Sequence, residues 1–215
     1  MYDNPLSPER IRETAFFTGH RFLPSAETEH IQKRLADSIT DAYQQGYRRF
    51  FCGCALGFDT LAALQVLHLK NEYPDMILSL AIPCDTQAEK WHEKDRAIYR
   101  KIIEQADEKY VLSPYYYQGV MLTRNRFMAD RSSLCICYLY HMRGGTASTV
   151  RYALKHDHIR IVNLASARDY NEGMLREKTW NYMSTSPSAK ENAGTARLFL
   201  SPRKQLSMKH ISTFF

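Results

Sequence analysis

The segment from Phe50 to Ala63 constrains the fold of this chain more than any other. It runs from an apolar strand through a turn that holds Gly53 and Gly57 and directly into a helical pattern, with Asp59 placed to cap that helix. Such a turn points backbone N–H groups and a helix N-terminus at one spot, which favours a bound anion. The segment therefore predicts an anion-binding loop.

Two other strand ends carry similar chemistry. The first predicted strand ends in Thr18-Gly19-His20-Arg21, and the buried strand Leu134–Tyr140 is followed by Gly144-Gly145-Thr146 and a helical run with Thr149. Two adjacent glycines permit close backbone approach, and threonine hydroxyls at a helix start can donate to an anion. Three such strand ends predict a small ligand that carries phosphate.

Strand and helix signals alternate along the chain. Predicted strands cover Phe16–Thr18, Arg49–Cys54, Ile77–Ile82, Lys109–Leu112, Leu134–Tyr140 and Arg160–Leu164, with helical patterns between them. Nearly continuous apolar strands that alternate with helices indicate an α/β fold with a doubly wound, mostly parallel sheet and helices on both faces. Ligands in such sheets bind outside the carboxyl ends of the strands, where all three glycine turns fall. We expect this domain over residues 1–167 and a C-terminal extension over 168–215, partly helical or disordered.

Composition limits the classes of function. The 215 residues contain no apolar run as long as a membrane span, and the N-terminus lacks the layout of a signal peptide, so we expect a cytoplasmic protein with no membrane partner. The net charge is +6, but the residues from Ser166 onward hold eight Lys or Arg against four acids. The main domain is therefore close to neutral, and its charge gives little support to nucleic-acid binding.

The cysteines invite a zinc hypothesis. Cys52/Cys54 and Cys135/Cys137 are same-face pairs on predicted buried strands. With the strand order 3-2-1-4-5, strands two and five would lie roughly 14 Å apart. That separation is too great for one tetrahedral site, so we expect core packing, reduced thiols and no metal.

The motifs together resemble the YpsA-like branch of the SLOG superfamily, over roughly residues 12–165. Besides the three glycine turns, the resemblance rests on Pro83, Trp91, Tyr117, Arg124-Asn125 with Met128, and Thr149-Val150-x-Tyr152-Ala153. That superfamily gathers Rossmann-like domains related to the LOG phosphoribohydrolases and the DprA/Smf DNA-processing proteins. The resemblance implies a nucleotide-derived ligand, such as an NAD- or ADP-ribose-like molecule or a signalling nucleotide, with some members similar to sensors and others to N-glycoside hydrolases.

One departure bears on catalysis. The LOG enzymes carry Gly-Gly-x-Gly-Thr-x-x-Glu with a catalytic glutamate, whereas this chain has Ala147 at the third glycine and Arg151 at the glutamate position. Hydrolysis of an N-glycosidic bond would need a carboxylate from elsewhere, such as Asp59, Asp85 or Glu89. Asp59 is the candidate catalytic residue, although helix capping is the simpler interpretation.

Each remaining candidate has a structural alternative. Arg124 suits a forked contact with phosphate and Asn125 an amide or hydroxyl contact, although a helix surface alone would also explain both. Trp91 fits either the core or a stack on a base. His20 and Arg21 could face phosphate or lie on a plain surface loop.

We expect the protein to bind a nucleotide-derived ligand at the carboxyl edge of the sheet, with sensing as one form of this hypothesis. The predicted ligand-binding residues are Thr18, Gly19, His20, Arg21, Gly53, Gly57, Asp59, Trp91, Arg124, Asn125, Gly144, Gly145, Thr146 and Thr149. The alternatives are a nucleotide N-glycosidase and a DprA-like protein that binds single-stranded DNA on aromatic platforms such as Phe22 and Tyr115–Tyr117. A homo-oligomer is compatible with each, and the only cofactor we expect is a bound nucleotide.

Overall fold

The sheet is six-stranded and entirely parallel, which confirms the predicted α/β, doubly wound fold class. The computed structural model describes residues 6–24 and 27–165. The strands are β1 (Thr14–Gly19), β2 (Arg49–Cys52), β3 (Ile77–Ile82), β4 (Glu108–Val111), β5 (Leu134–Tyr138) and β6 (Arg160–Asn163). The helices are α1 (Pro8–Arg12), α2 (Thr28–Gln44), α3 (Phe58–Leu69), α4 (Glu93–Gln105), α5 (Val120–Ala129) and α6 (Gly144–Ala153). The expected C-terminal extension lies outside the described residues.

Two apolar cores, one on each face of the sheet, hold these layers together. One core combines side chains of α2, α3 and α4, such as Ile31, Val66 and Ile102, with one set of strand positions. The other combines Phe127 of α5 and Val150 of α6 with the alternate strand positions. Successive residues of a strand point to opposite faces, so strands buried on both sides need the nearly continuous apolar runs seen in the sequence.

The strand order is β4-β3-β2-β1-β5-β6, so the assumed order 3-2-1-4-5 was wrong. The chain winds outward from β1 through β2, β3 and β4, and then returns to place β5 on the other side of β1. The crevice where the winding direction changes therefore lies between the carboxyl ends of β1 and β5, which is where doubly wound sheets bind ligands.

The observed strand order also brings the strands that carry the two cysteine pairs closer together than expected. Only β1 separates β2 from β5, so these strands lie two spacings apart, about 10 Å, rather than three. However, Cys52 belongs to the core on one face, whereas Cys135 and Cys137 belong to the core on the other. The two pairs of thiols therefore point to opposite faces of the sheet, where each pair packs in a different apolar core.

The helix after β3 begins later than the periodicity predicts. The spacing of Trp91, Ile98 and Ile102 predicts a helix over 89–106, but α4 begins at Glu93, because the chain first makes a series of tight turns. Backbone N–H groups of Gln87, Glu89 and Trp91 each donate to the carbonyl three residues earlier. Trp91 therefore precedes the helix. In the part of the chain that the structure describes, no helix is long and apolar enough to cross a membrane.

Candidate functional site

The glycine turn after β2 is closed against the loop after β1. Gly57 has a backbone φ of +88°, and a Cβ atom there would overlap the backbone carbonyl of Arg21. The N–H of Phe58 donates to the carbonyl of His20 at 3.2 Å. The turn therefore needs glycine both for its left-handed backbone and for the close approach of the neighbouring loop.

Asp59 does not cap α3, so that interpretation was wrong. Gly57 occupies the cap position, and Asp59 is the second residue of the helix. Its Oδ2 lies 3.4 Å from Nη1 of Arg124, and the N–H of Ala55 donates to the same oxygen at 3.4 Å. Both members of this ion pair are only 5 % exposed. Burial raises the pKa of the Asp59 carboxyl, and the guanidinium of Arg124 opposes that rise.

Gly53 lies directly against this ion pair. A Cβ atom at Gly53 would overlap Nη1 of Arg124 and lie 2.8 Å from Oδ2 of Asp59. Asp59 belongs to α3 on one face of the sheet, and Arg124 belongs to α5 on the other. The pair therefore joins the two helical layers across the carboxyl end of β2, and only a residue without a side chain fits beneath it.

Two residues that the sequence analysis missed complete this region. The side-chain amide of Gln87 donates to the carbonyls of Cys54 at 2.8 Å and Gly53 at 3.4 Å. Tyr99 of α4 packs against Trp91 with ring centroids 5.3 Å apart, and burial, reinforced by nearby Cys54 and Cys84, raises the pKa of Tyr99. Gln87 had one usable signal, since it follows the end of β3 at the same edge as the glycine turns.

An aromatic and histidine cluster fills the crevice between β1 and β5. The ring of His20 stacks on His141 with centroids 3.9 Å apart and meets Tyr140 edge-on at 4.3 Å. The N–H of His141 donates to Nε2 of His20 at 3.4 Å. Burial, and to a lesser extent the nearby His141, lowers the pKa of His20 to about 4. His20 is therefore a neutral side chain at neutral pH, and not the positive group expected for phosphate.

Helix α6 begins beside this crevice with two exposed glycines. Gly144 has a φ of +81°, but Gly145 lies outside the left-handed region. Apart from the chain neighbours and the adjoining backbone of the helix, no described residue lies within 4 Å of a Cβ atom built on either glycine, and no side chain caps the helix. The Cβ positions of both glycines are therefore open, and in the described part of the chain no capping side chain accepts from the first backbone N–H groups of α6.

Behind this turn, α5 and α6 are tied together by polar side chains. The side-chain amide of Asn125 donates to the Thr149 hydroxyl at 2.6 Å, and that hydroxyl donates to the carbonyl of Gly145 at 2.8 Å. Thr146 is also buried. The hydrogen of the Thr149 hydroxyl is thus engaged inside the helix, so Asn125 and Thr149 position the glycine turn in this structure.

The structure thus divides the predicted residues into groups. Gly53, Gly57, Asp59 and Arg124 meet at the end of β2, and Asn125, Gly145 and Thr149 meet at the start of α6. Thr18 is buried in β1, and a Cβ atom on Gly19 would overlap the ring of Phe58. The side chain of Arg21 is exposed, and Trp91 is half-buried against Tyr99.

The aromatic platforms proposed for DNA are exposed but divided. Phe22 follows β1, whereas Tyr115, Tyr116 and Tyr117 follow β4. Strands β2 and β3 lie between these two strands, which places their ends about 14 Å apart. The four rings therefore follow strands that are not neighbours in the sheet.

Comparison with known proteins assigns the family. The sequence profile of YpsA, described as the YspA SLOG family, matches residues 23–171. The chain belongs to this family. A relative from Brevibacillus brevis, described as a UPF0398 protein, is 46% identical over 106 residues, which cover 47% of this chain and 55% of the relative. UPF0398 proteins of Bacillus pumilus and Bacillus thuringiensis are 27% identical over 106 residues and 24% identical over 161 residues.

The extent of these matches differs. The alignment spans 57% of the Bacillus pumilus protein and 55% of the Brevibacillus protein, so this chain spans little more than half the length of those relatives. The match to the Bacillus thuringiensis protein covers 71% of this chain and 85% of the relative. Among solved structures, the DNA processing protein A (DprA) of Streptococcus pneumoniae is similar, with a TM-score of 0.51 and 16% identity over 71% of this chain and 50% of DprA. At that identity the likeness concerns the fold.

Proposed function

We propose that this YpsA-family protein binds a nucleotide-derived ligand, with a phosphate group at the start of α6. The observation that carries the proposal is the presence of glycine at position 145. Its backbone is not left-handed, and its Cβ position is open, so nothing in the described protein requires glycine there. A glycine near the start of a helix is less favourable than alanine. A ligand that approaches the backbone closely gives a reason for its presence.

The surroundings of Gly145 suit an anion. The uncapped N–H groups of the first turn carry the positive end of the helix dipole, and α6 has ten residues. Arg143, which precedes the helix, and Arg21, which follows β1, are both exposed at the edge where β1 and β5 end. Arginine binds phosphate through two parallel hydrogen bonds.

Two observations favour binding of the ligand without cleavage of any of its bonds. Asp59 is engaged by Arg124 and by the N–H of Ala55, and it is buried. Arg151 stands where the LOG enzymes have their catalytic glutamate. We therefore expect the ligand to leave the protein unchanged, as in a sensor.

The test is thermal unfolding of the full chain with NAD, ADP-ribose, AMP and cyclic dinucleotides, and each stabilising compound is then recovered and analysed by chromatography. We expect at least one nucleotide to raise the melting temperature and to be recovered intact. Release of free base would replace binding with N-glycosidase activity. No shift with any nucleotide would overturn the proposal, and a salt-sensitive shift with an oligothymidylate instead would assign the site to single-stranded DNA.

A further inference from the structure

Two buried polar atoms beside Gly53 lack a partner in the described structure. These are Oε1 of Gln87 and Nε of Arg124. The orientation of the Gln87 amide is set by its neighbours, because the two groups it faces are carbonyls and can only accept. Its NH₂ group therefore points to Gly53 and Cys54, and its oxygen is left as an unused acceptor.

The two residues reach Gly53 from different elements. Gln87 comes from the turns after β3 and donates to the Gly53 carbonyl, while Arg124 comes from α5 and lies where a Gly53 side chain would be. An unused acceptor and an unused donor thus belong to two side chains that both contact Gly53. A buried polar group without a partner destabilises a folded protein, so a ligand group that satisfies both atoms would bind favourably.

The chemistry of this point differs from that of the α6 turn. Phosphate at neutral pH has little hydrogen to give to Gln87, and it would meet the Asp59 carboxylate that already lies beside Arg124. A hydroxyl suits both atoms, since its single oxygen donates one hydrogen bond and accepts others. Both atoms are buried in this structure, and a hydroxyl is the smallest group that both donates and accepts a hydrogen bond.

We propose that Gln87, Arg124 and Gly53 form a subsite for a sugar hydroxyl of the bound nucleotide, in which the hydroxyl donates to Oε1 of Gln87 and accepts from Nε of Arg124. This inference rests on the proposed function and deepens it, because it requires a nucleotide whose sugar keeps a free 2′- or 3′-hydroxyl. Gln87 is then a specificity-determining residue.

The experiment compares AMP with 2′,3′-dideoxy-AMP by calorimetric titration of the full-length protein. We expect AMP to bind at least about tenfold more tightly. In Gln87→Met, which keeps the length of the side chain without the amide, this preference should fall to within about twofold. The ratio of the two affinities is its own control, since a general distortion of the loop weakens both nucleotides equally. Lys90→Met, at an exposed position of the same turns, should keep the wild-type preference.

A second variant protects the test against misfolding. Arg124→Lys keeps a positive charge for Asp59 but removes Nε, so it should lose the preference in the same way. An equal affinity of the wild type for both nucleotides, or a preference that survives both substitutions, would overturn the subsite while leaving nucleotide binding in place. Failure of both AMP and dideoxy-AMP to bind, when other nucleotides such as the cyclic dinucleotides do bind, would also overturn it. Failure of every nucleotide would overturn the proposed function itself.

Discussion

The two main glycine turns of this protein use glycine for opposite reasons. After β2, Gly53 and Gly57 are enclosed, and a side chain on either would collide with Arg124 or with the backbone of Arg21. At the start of α6, Gly145 faces open space. The same residue type therefore marks internal packing in one turn and, in our account, access for a ligand in the other.

This difference separates the stability of the protein from its binding. Substitutions in the turn after β2 should damage the fold, because the protein itself fills the space. A substitution at Gly145 should damage only binding, because the protein leaves that space empty. A glycine motif in a sequence does not by itself distinguish these cases.

The largest effect on stability is expected at Gly57. Gly57→Ala would force a Cβ atom into the backbone of Arg21 and strain a φ of +88°, so we expect a loss of about 3–5 kcal/mol in the free energy of unfolding. Gly46→Ala is the matched control, since Gly46 has a φ of +96° with nothing near its Cβ position. It should cost only about 1–2 kcal/mol. Equal losses in urea denaturation would show that the contact with Arg21 contributes nothing.

A somewhat smaller loss is expected at Gly53. Gly53→Ala would push Arg124 from its place and separate it from Asp59, at a cost of about 2–4 kcal/mol. In a protein that already carries Asp59→Asn and Arg124→Met, the same substitution should cost less than about 1 kcal/mol, because no ion pair remains to be broken. The same cost in both backgrounds would mean that the space beneath the ion pair is not what requires glycine.

Acid should weaken the crevice between β1 and β5. The pKa of His20 is about 4 in the folded protein against 6.5 for an unperturbed histidine. Between these values the unfolded chain binds more protons, so stability falls as the pH is lowered from 6.5 towards 4. We expect about 1–2 kcal/mol from His20, less than the full shift would give because solvent screens part of the charge. Denaturation of His20→Gln across this pH range should show a shallower dependence, and an unchanged dependence would contradict a buried neutral His20.

The smallest change in stability is expected at Gly145, with the opposite sign. Gly145→Ala should raise the free energy of unfolding by about 0.5 kcal/mol, since alanine favours the helix and meets no other atom. Thermal unfolding of the unliganded protein measures this directly. A clear loss of stability would show that the protein fills the space near Gly145. Glycine would then serve internal packing in both turns.

The sequence predicted the elements of the fold better than their arrangement. Apolar runs and helical spacing located all six strands, and the pattern is strongest for β1, β2, β3 and β5, which are buried on two faces. The order of parallel strands leaves no such pattern, and the assumed order put β5 in the wrong place. The short helix α1 was also missed, since none of its side chains is buried.

In the candidate site, too, the local motifs were predicted from the sequence and their contacts were not. The sequence located the glycines of the three turns, but it did not predict which residues contact them. Asp59 and Arg124 are 65 residues apart, and only the packing of α3 and α5 against opposite faces brings them together. Gln87 lies in irregular turns, where no periodicity points to a contact with Gly53. Local chemistry can be predicted from sequence, whereas contacts between distant loops depend on the strand order.

The most direct test of the account is the affinity of the Gly145→Gln variant for ADP-ribose and AMP, measured by calorimetric titration against the wild type. Leu154→Gln, at the exposed far end of the same helix, is the control. We expect Gly145→Gln to keep its melting temperature and to lose at least about tenfold in affinity, or 1.4 kcal/mol, while Leu154→Gln binds as the wild type does. Wild-type affinity in a folded Gly145→Gln protein would contradict the claim that the ligand lies at the start of α6.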